Sequence, residues 1–238
     1  MDRAIKRVTR DIAEYNKEPI EGTAIYVDES DIMNVTVAIA GPSDSVYEHG
    51  VYFYQFTFGS TYPYEPPKGK FLNWQNTNTR MHPNMYIDGK LCLSILGTWA
   101  GPSWTSIMTL KSIILNIQAL LDDNPLKNEP GLEKDIATAK HEKYAKIIRY
   151  YNARDFINGT IKALIGKAYS EQAKNITVNF KDFLVKHFKD NKTKILENLD
   201  KCIITIPNQN LSVEYNGVSA SIDFSSVKTQ FMEVIDKV

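Results

Sequence analysis

Apolar residues along the chain change their spacing several times, and each change marks an element. Near the start, Ile5, Val8, Ile12 and Tyr15 recur three and four positions apart, the stripe of one helix face. Arg3, Lys6, Arg7 and Arg10 fall mostly off that stripe, and Pro19 and Gly22 end the helix. The period then drops to two. Residues 23–27 are apolar and rich in β-branched side chains, and Met33, Val35, Val37 and Ile39 alternate until Gly41-Pro42. Residues 51–58, VYFYQFTF, are almost wholly apolar, as in a strand covered on both faces. Phe71, Leu72 and Trp74 predict a shorter fourth strand. Before it stands Tyr62-Pro63-Tyr64-Glu65-Pro66-Pro67, where the prolines exclude a helix or a central strand. That segment is a rigid loop, and its X-Pro bonds are candidates for the cis form.

Residues 73–104 show little periodicity. A loop of that length in a compact domain is usually functional, and Asn84, Asp88-Gly89, Gly97 and Gly101-Pro102 supply its turns. A helix follows over 106–121, with Leu110, Ile113, Ile114, Ile117, Leu120 and Leu121 as its stripe, stopped by Asn124-Pro125. Two helices are predicted at 136–151 and 155–168, interrupted near Asn152, and a third at 181–199. Residues 202–206, Cys-Ile-Ile-Thr-Ile, read as a strand. Asn216-Gly217 at the centre of 211–224 is a two-residue hairpin signal. A last helix is predicted at 226–235.

Composition narrows the function classes. The 238 residues suffice for one generous domain, or a domain with an appendage. Lys+Arg and Asp+Glu both number 28, so no global positive charge draws the chain to nucleic acid. The N-terminus is charged from its second residue, and no apolar run reaches the roughly 18 residues of a membrane span. Neither a signal peptide nor membrane insertion is expected, and the Asn34-Val35-Thr36 sequon is expected to stay unmodified. Two distant cysteines, Cys92 and Cys202, make neither a disulfide framework nor a zinc site, so no metal is expected. Cytoplasm or nucleus is the expected location.

The candidate chemistry centres on Cys92. His82-Pro83-Asn84 precede it, and Asp88-Gly89-Lys90-Leu91 lead into it. Beside Leu91, Leu93 and Ile95, a lone cysteine is more often a small core residue than a nucleophile, by roughly two to one. A nucleophilic thiol needs access and thiolate character. The loop-like surroundings favour access, while no neighbour in sequence obviously favours the thiolate. Cys202, in its apolar run, reads as structural.

Read together, the motifs change this balance. A basic-faced first helix, Gly41-Pro42, an aromatic strand and Tyr62-Pro63-Tyr64-Glu65-Pro66-Pro67 come first. His82-Pro83-Asn84, Cys92 eight positions after that Asn, Trp104, and an apolar helix ending in Asn124-Pro125 follow. Over about residues 1–150 this order resembles the ubiquitin-conjugating enzymes. The run from Cys92 through Gly97 and Gly101-Pro102 to Trp104, and Asn128-Glu129-Pro130-Gly131 after the helix, resemble the large Z-type members. Those carry an extra loop after the cysteine and a C-terminal extension.

The resemblance implies an α+β fold of the ubiquitin-conjugating type: an N-terminal helix, a four-stranded antiparallel meander and C-terminal helices. It implies a core domain at 1–151 and an α/β extension at 152–238. It implies that Cys92 accepts ubiquitin or a ubiquitin-like modifier from an activating enzyme as a thioester and passes it to a lysine amine. A thiolate suits this because it both attacks and leaves readily. Asn84 is then catalytic with Cys92, either donating to the tetrahedral oxyanion or bracing the loop, while His82 and Pro83 support the site structurally. Lys6, Arg7 and Arg10 resemble the surface that docks the activating enzyme, and Tyr64, Ser106 and Ile107 the surface that docks ligases. The implied partners are the modifier, the activating enzyme, ligases and protein substrates, with no nucleic acid and no membrane. No cofactor is implied, since ATP is used by the activating enzyme. Two departures stand out. Ser94 occupies a position where many members have an acid, and Lys127 blurs the alignment of Asp122, Asp123, Asn128 and Glu129, so the acid that orients the lysine has no assignment. The alternatives are a catalytically silent binding or scaffold protein of the same fold, and a cysteine hydrolase pairing Cys92 with His141 or His187, whose spacing fits no known pattern.

Overall fold

Strand β3 (Val51–Thr57) determines the layering. It is the third strand of an antiparallel meander ordered β1 (Thr23–Asp28), β2 (Asp31–Ala40), β3 and β4 (Lys68–Phe71). The computed structural model describes residues 2–28, 30–75, 77–134, 138–168 and 170–238. In register, Val35, Val37 and Ile39 of β2 stand opposite Phe56, Tyr54 and Tyr52. Directly opposed residues share a face, so these six side chains form the inner face. Phe53 points to the outer face with Ala38, and all of these residues are buried. A strand apolar on both faces must be covered on both.

The inner face meets helices α1 (Asp2–Lys17) and α2 (Leu110–Leu120). The buried stripe of α1 is Ala4, Val8, Asp11 and Tyr15. Ile5 and Ile12 flank it half-buried. Asp11 is the polar member of that stripe. It accepts hydrogen bonds from Arg7 Nε (2.8 Å), from the Tyr62 hydroxyl and from the Leu110 N–H (3.4 Å). One carboxylate thus joins α1 to the proline loop and to the start of α2. The Tyr62-Pro63 bond is cis.

Beyond α2 a short 3-10 turn (Pro125–Asn128) leads to α3 (Ala139–Tyr151). The predicted break at Asn152 is instead a change of pitch. The helix continues as a π-helical stretch (Asn152–Gly159) and α4 (Thr160–Lys162), and it ends within Ala163–Lys167, where Ile165 (ψ 19°) and Gly166 (φ 85°) leave the helical conformation. The wider turn carries Asn152 inward, where its side chain accepts from the Tyr52 hydroxyl (2.7 Å) and donates to the Glu48 carbonyl (2.9 Å). Phe156 stacks on Tyr52 at 4.4 Å between centroids. Ile136, in the predicted start of this helix, lies outside the described residues.

Helices α5 (Glu171–Asn179) and α6 (Lys181–Thr205) follow. The first was not anticipated, although Ser170 caps it by accepting from the Ala173 N–H. Phe180, at the joint between them, lies edge-on to Phe53 (5.4 Å) and Tyr26 (6.3 Å) and covers the outer face. The predicted strand at 202–206 is corrected to the end of α6. Leu184, Phe188, Ile195, Leu199 and Cys202 are buried along one helical stripe, and Ile204, off that stripe, is 83% exposed. Helical spacing outweighs the β-branched composition there. β5 (Gln209–Ser212) and β6 (Ser219–Ile222) form the predicted hairpin. Asn216 and Gly217 sit at φ 47° and 66°, and the Val218 N–H closes the turn on the Tyr215 carbonyl (3.0 Å). Helix α7 (Phe224–Ile235) packs on α6.

Two further boundaries differ from the sequence reading. β4 occupies 68–71, and of Phe71, Leu72 and Trp74 only Phe71 belongs to it. As an edge strand it shows Lys68 and Lys70 to solvent, while Trp74 leaves the sheet and packs on Phe53 (6.0 Å). α2 starts at Leu110 rather than 106, because Thr109 and Ser112 form a capping box there. Buried residues from both sides of position 151 belong to one continuous hydrophobic cluster. Among the described residues, no helix is long and apolar enough to cross a membrane.

Removing the outer cover is expected to destabilise the whole chain. Phe180→Ala deletes a buried ring at the sheet and should lower unfolding free energy by about 3–5 kcal/mol, measured by urea denaturation followed by tryptophan fluorescence. A loss under about 0.5 kcal/mol, the size of a surface substitution, would show that α5 and α6 do not hold the sheet.

Candidate active site

Cys92 is gripped by its backbone. Its N–H donates to the Asn84 carbonyl (2.9 Å), and the Asn84 side-chain amide donates to the Cys92 carbonyl (2.7 Å). The eight-residue spacing seen in the sequence is therefore the closure of a loop in which each residue bonds the other. An amide nitrogen carries two N–H donors, so this leaves one on Asn84. The flanking peptide units are held by Thr98. Its hydroxyl donates to the Leu91 carbonyl (2.8 Å) and accepts from the Leu93 N–H (2.9 Å). Thr98 was not singled out by sequence, because nothing marks a loop threonine as a clamp until the loop is folded.

The thiol is covered in this loop. Cys92 is 1% exposed, so the access expected from a loop setting is not present in this conformation. Burial pushes the thiol above its ordinary titration range. Lys90, Arg80 and a hydrogen bond from the Tyr86 side chain pull it back, and Asp88 opposes them. Arg80 and Tyr86 are a second pair that sequence did not single out. The Arg80 guanidinium lies 3.7 Å from the centre of the Tyr86 ring, and Lys90 Nζ lies 5.2 Å from it. Gly69 makes the close packing possible. A Cβ there would stand 2.7 Å from Leu96 and 3.2 Å from Leu91, the residue before Cys92.

His82 is fully buried. Its Nδ1 accepts from the Asn84 N–H (2.9 Å), which places the ring proton on Nε2, toward the Leu120 backbone. Burial lowers its pKa to about 3, so it is neutral at pH 7 and a weak base. The hydrolase alternative finds no partner in the other histidines. His141 is bonded to Thr138 and the Leu132 carbonyl, and His187 to the His49 carbonyl. Among the described residues no cluster of His, Cys, Asp or Glu is arranged to hold a metal, and Cys92 and Cys202 are both free thiols.

The acids near the site are turned to structural partners. Asp122 pairs with Lys127 (2.7 Å), and Glu129 accepts from the Tyr215 hydroxyl (2.7 Å); the amide of Asn128 donates to the Pro125 carbonyl (3.1 Å). Asp123 is exposed. Ser94 lies under the loop after the cysteine, where a Cβ on Gly101 would stand 2.9 Å from Ser94 Cβ.

The basic residues of α1 divide. Arg7 turns inward: besides Asp11 it bonds the Ser106 (2.9 Å) and Met108 (2.7 Å) carbonyls, so its guanidinium ties α1 to the segment before α2. Lys6 and Arg10 are exposed, and Arg10 pairs with Glu14 (2.8 Å). Tyr64 (64% exposed) and Ile107 (86%) are large apolar side chains in water, and Ser106 is exposed beside Ile107. The Trp104 indole N–H donates to the Pro63 carbonyl (2.7 Å), and Arg3 lies over the Tyr64 ring (5.8 Å). The proline loop, the segment at 104–107 and the first turn of α1 are therefore neighbours.

Two outcomes check this geometry. Thr98→Val keeps the shape but leaves the Leu91 carbonyl and Leu93 N–H without their partner, and should lower stability by about 1–3 kcal/mol in urea denaturation. His82 and His49 are buried neutral, their pKa values lowered to about 3 and about 4, chiefly by burial, from an ordinary 6.5. Below 6.5 the unfolded chain takes up protons that the folded chain refuses, so stability falls as pH drops from 6.5 through 4. Thermal unfolding across that range measures it, and His49→Gln should flatten the slope.

Residues 7–153 match the family model for ubiquitin-conjugating enzymes. The ubiquitin-conjugating enzyme E2 Z of Xenopus tropicalis is 37% identical over 153 residues, covering 64% of this chain and 49% of that protein. The probable ubiquitin-conjugating enzyme protein 17 of Caenorhabditis elegans is 34% identical over 211 residues, 85% of this chain and 28% of that one. The solved structure of human ubiquitin-conjugating enzyme E2 G1 matches with 34% identity and a TM-score of 0.44, covering 51% of this chain and 96% of that chain. The chain spans half or less of the length of the two sequence relatives. With the match running through the proline loop, the Asn84–Cys92 closure and α2, the chain belongs to the ubiquitin-conjugating enzyme family and has its fold.

Proposed function

We propose that the protein accepts ubiquitin, or a ubiquitin-like modifier, as a thioester on Cys92 and transfers it to a lysine amine. The observation that carries this is the mutual bonding of Asn84 and Cys92, which holds a cysteine and an amide donor side by side in a chain of this family. In the first step the Cys92 thiolate adds to the carbonyl of the modifier's thioester with an activating enzyme, and that enzyme's thiolate leaves. In the second a neutral amine adds to the new thioester, loses a proton and expels the Cys92 thiolate. Both steps pass through an oxyanion, for which the remaining Asn84 N–H is the donor. ATP enters only through the activating enzyme. Because Cys92 is covered, charging requires its cover to part as the modifier's tail arrives.

Lys6 and Arg10 supply the outward charge for docking the activating enzyme, with Arg7 fixing the helix that presents them. Tyr64, Ser106 and Ile107 supply a partly apolar surface for ligases, and protein substrates complete the set of partners. A second reading, a silent module of the same fold, is favoured by the burial of Cys92 and by its raised pKa.

A charging assay separates the two. With activating enzyme, ATP and modifier, the protein should form an adduct that reductant destroys. Cys92→Ala should abolish it, and Cys92→Ser should leave an ester that resists reductant. Asn84→Ala should still charge but discharge to free lysine slower, on the order of 100-fold. An adduct that persists in Cys92→Ala, or no adduct with any modifier tried, would sink the enzyme reading.

A further inference from the structure

A buried arginine connects the C-terminal hairpin to the loop before Cys92. Arg80 is 9% exposed. Its Nη2 donates to the Pro83 carbonyl, and its own carbonyl accepts from the Tyr144 hydroxyl (2.7 Å). Its guanidinium lies over two rings, Tyr86 at 3.7 Å and Tyr215 at 5.6 Å. Tyr215 begins the turn between β5 and β6 and also sits edge-on to Tyr144 at 5.6 Å. Further contacts seat the hairpin here. Val213, Val218 and Ile222 are buried, and Ser219 accepts from the Tyr151 hydroxyl of α3 (2.8 Å).

The route from Tyr215 into the turn at His82-Pro83-Asn84 passes through Arg80 to Pro83. The Tyr215 hydroxyl donates to Glu129 (2.7 Å), outside that turn. Arg80 also lies over the Tyr86 ring (3.7 Å), and both side chains favour the Cys92 thiolate.

We propose that Tyr215 is a positioning residue for the transfer reaction: its ring seats Arg80, and Arg80 fixes the His82–Asn84 turn and the Tyr86 ring against Cys92. This gives the extension a part in catalysis without touching the reacting atoms, and it rests on Cys92 being the reacting thiol. The charged and titratable groups that face Cys92 are Lys90, Arg80, Tyr86 and Asp88. Of these, Arg80 is the one that Tyr215 holds directly.

The test uses the full chain. Alkylation of Cys92 by iodoacetamide is followed against pH by mass at the Cys92 peptide, alongside single-turnover discharge of the thioester to free lysine. Tyr215→Ala should shift the alkylation profile to higher pH, because Arg80 and Tyr86 no longer favour the thiolate, and should slow discharge roughly 10-fold through misplacement of the loop. Tyr215→Phe keeps the ring on Arg80 and should restore both. Should Tyr215→Ala fail to fold, Arg80→Met, which fills the same slot without charge, should show the same two changes. A folded Tyr215→Ala protein with the wild-type profile and rate would overturn the proposal, as would Tyr215→Phe as impaired as Tyr215→Ala. Wild-type protein that never charges, yet whose alkylation profile responds to Tyr215, would remove the thioester reading while upholding the brace.

Discussion

A strand that is apolar on both faces cannot be left half-covered in water, and β3 imposes that constraint on the whole molecule. Tyr52, Tyr54 and Phe56 face one way and Phe53 the other, all buried. The inner face is closed by α1, α2 and the π-helical stretch that brings Phe156 and Asn152 onto Tyr52. The outer face is closed at Phe53 by Phe180. A buried aromatic side chain contributes a few kcal/mol on transfer from water, against a whole-domain stability of about 5–15 kcal/mol. The later part of the chain is thus joined to the sheet from both sides, and the region after residue 151 shares the core of the family domain.

The same economy appears around Cys92. Its own N–H and C=O are taken by Asn84, and the adjoining Leu91 C=O and Leu93 N–H by Thr98. A buried backbone polar group without a partner is costly, so this pattern fixes the cysteine's backbone. The side chains that tune the sulfur, Arg80, Lys90 and Tyr86, all lie within the short stretch before it. Fold and chemistry use the same loop, and the loop keeps its shape through bonds to side chains far away in sequence.

That division explains what the sequence disclosed and what it withheld. Apolar β-branched composition located β1, period-two alternation β2 and an almost wholly apolar run β3, and Asn216-Gly217 located the hairpin turn, because each signal is local. Cys92 and Asn84 were legible as a spaced motif. The strand predicted at 202–206 failed because Ile203, Ile204 and Ile206 carry β-branched composition while the burial follows helical spacing. The continuation through Asn152 was missed because its cause, a bond to Tyr52, comes from a hundred residues earlier. Arg7 looked like part of a solvated basic face, but its partners, Ser106 and Met108, are equally remote. Arg80, Tyr86 and Thr98 belong to the same class: ordinary residues whose roles are set by neighbours that only the fold supplies.

The contacts made by Phe180 and Tyr215 reach far back in sequence, and this sets an order of assembly. The four strands and α2 precede residue 121, while the ring on Arg80 and the donor to Glu129 come from residue 215. Chain growth at about 5–20 residues per second therefore leaves an interval in which the cysteine loop exists without its distal support. During that interval Phe53 also lacks Phe180, and the sheet shows an apolar outer patch of the kind that other unfinished chains adhere to. A growing chain covers Phe53 and places a ring on Arg80 only once residues 180 and 215 have been made.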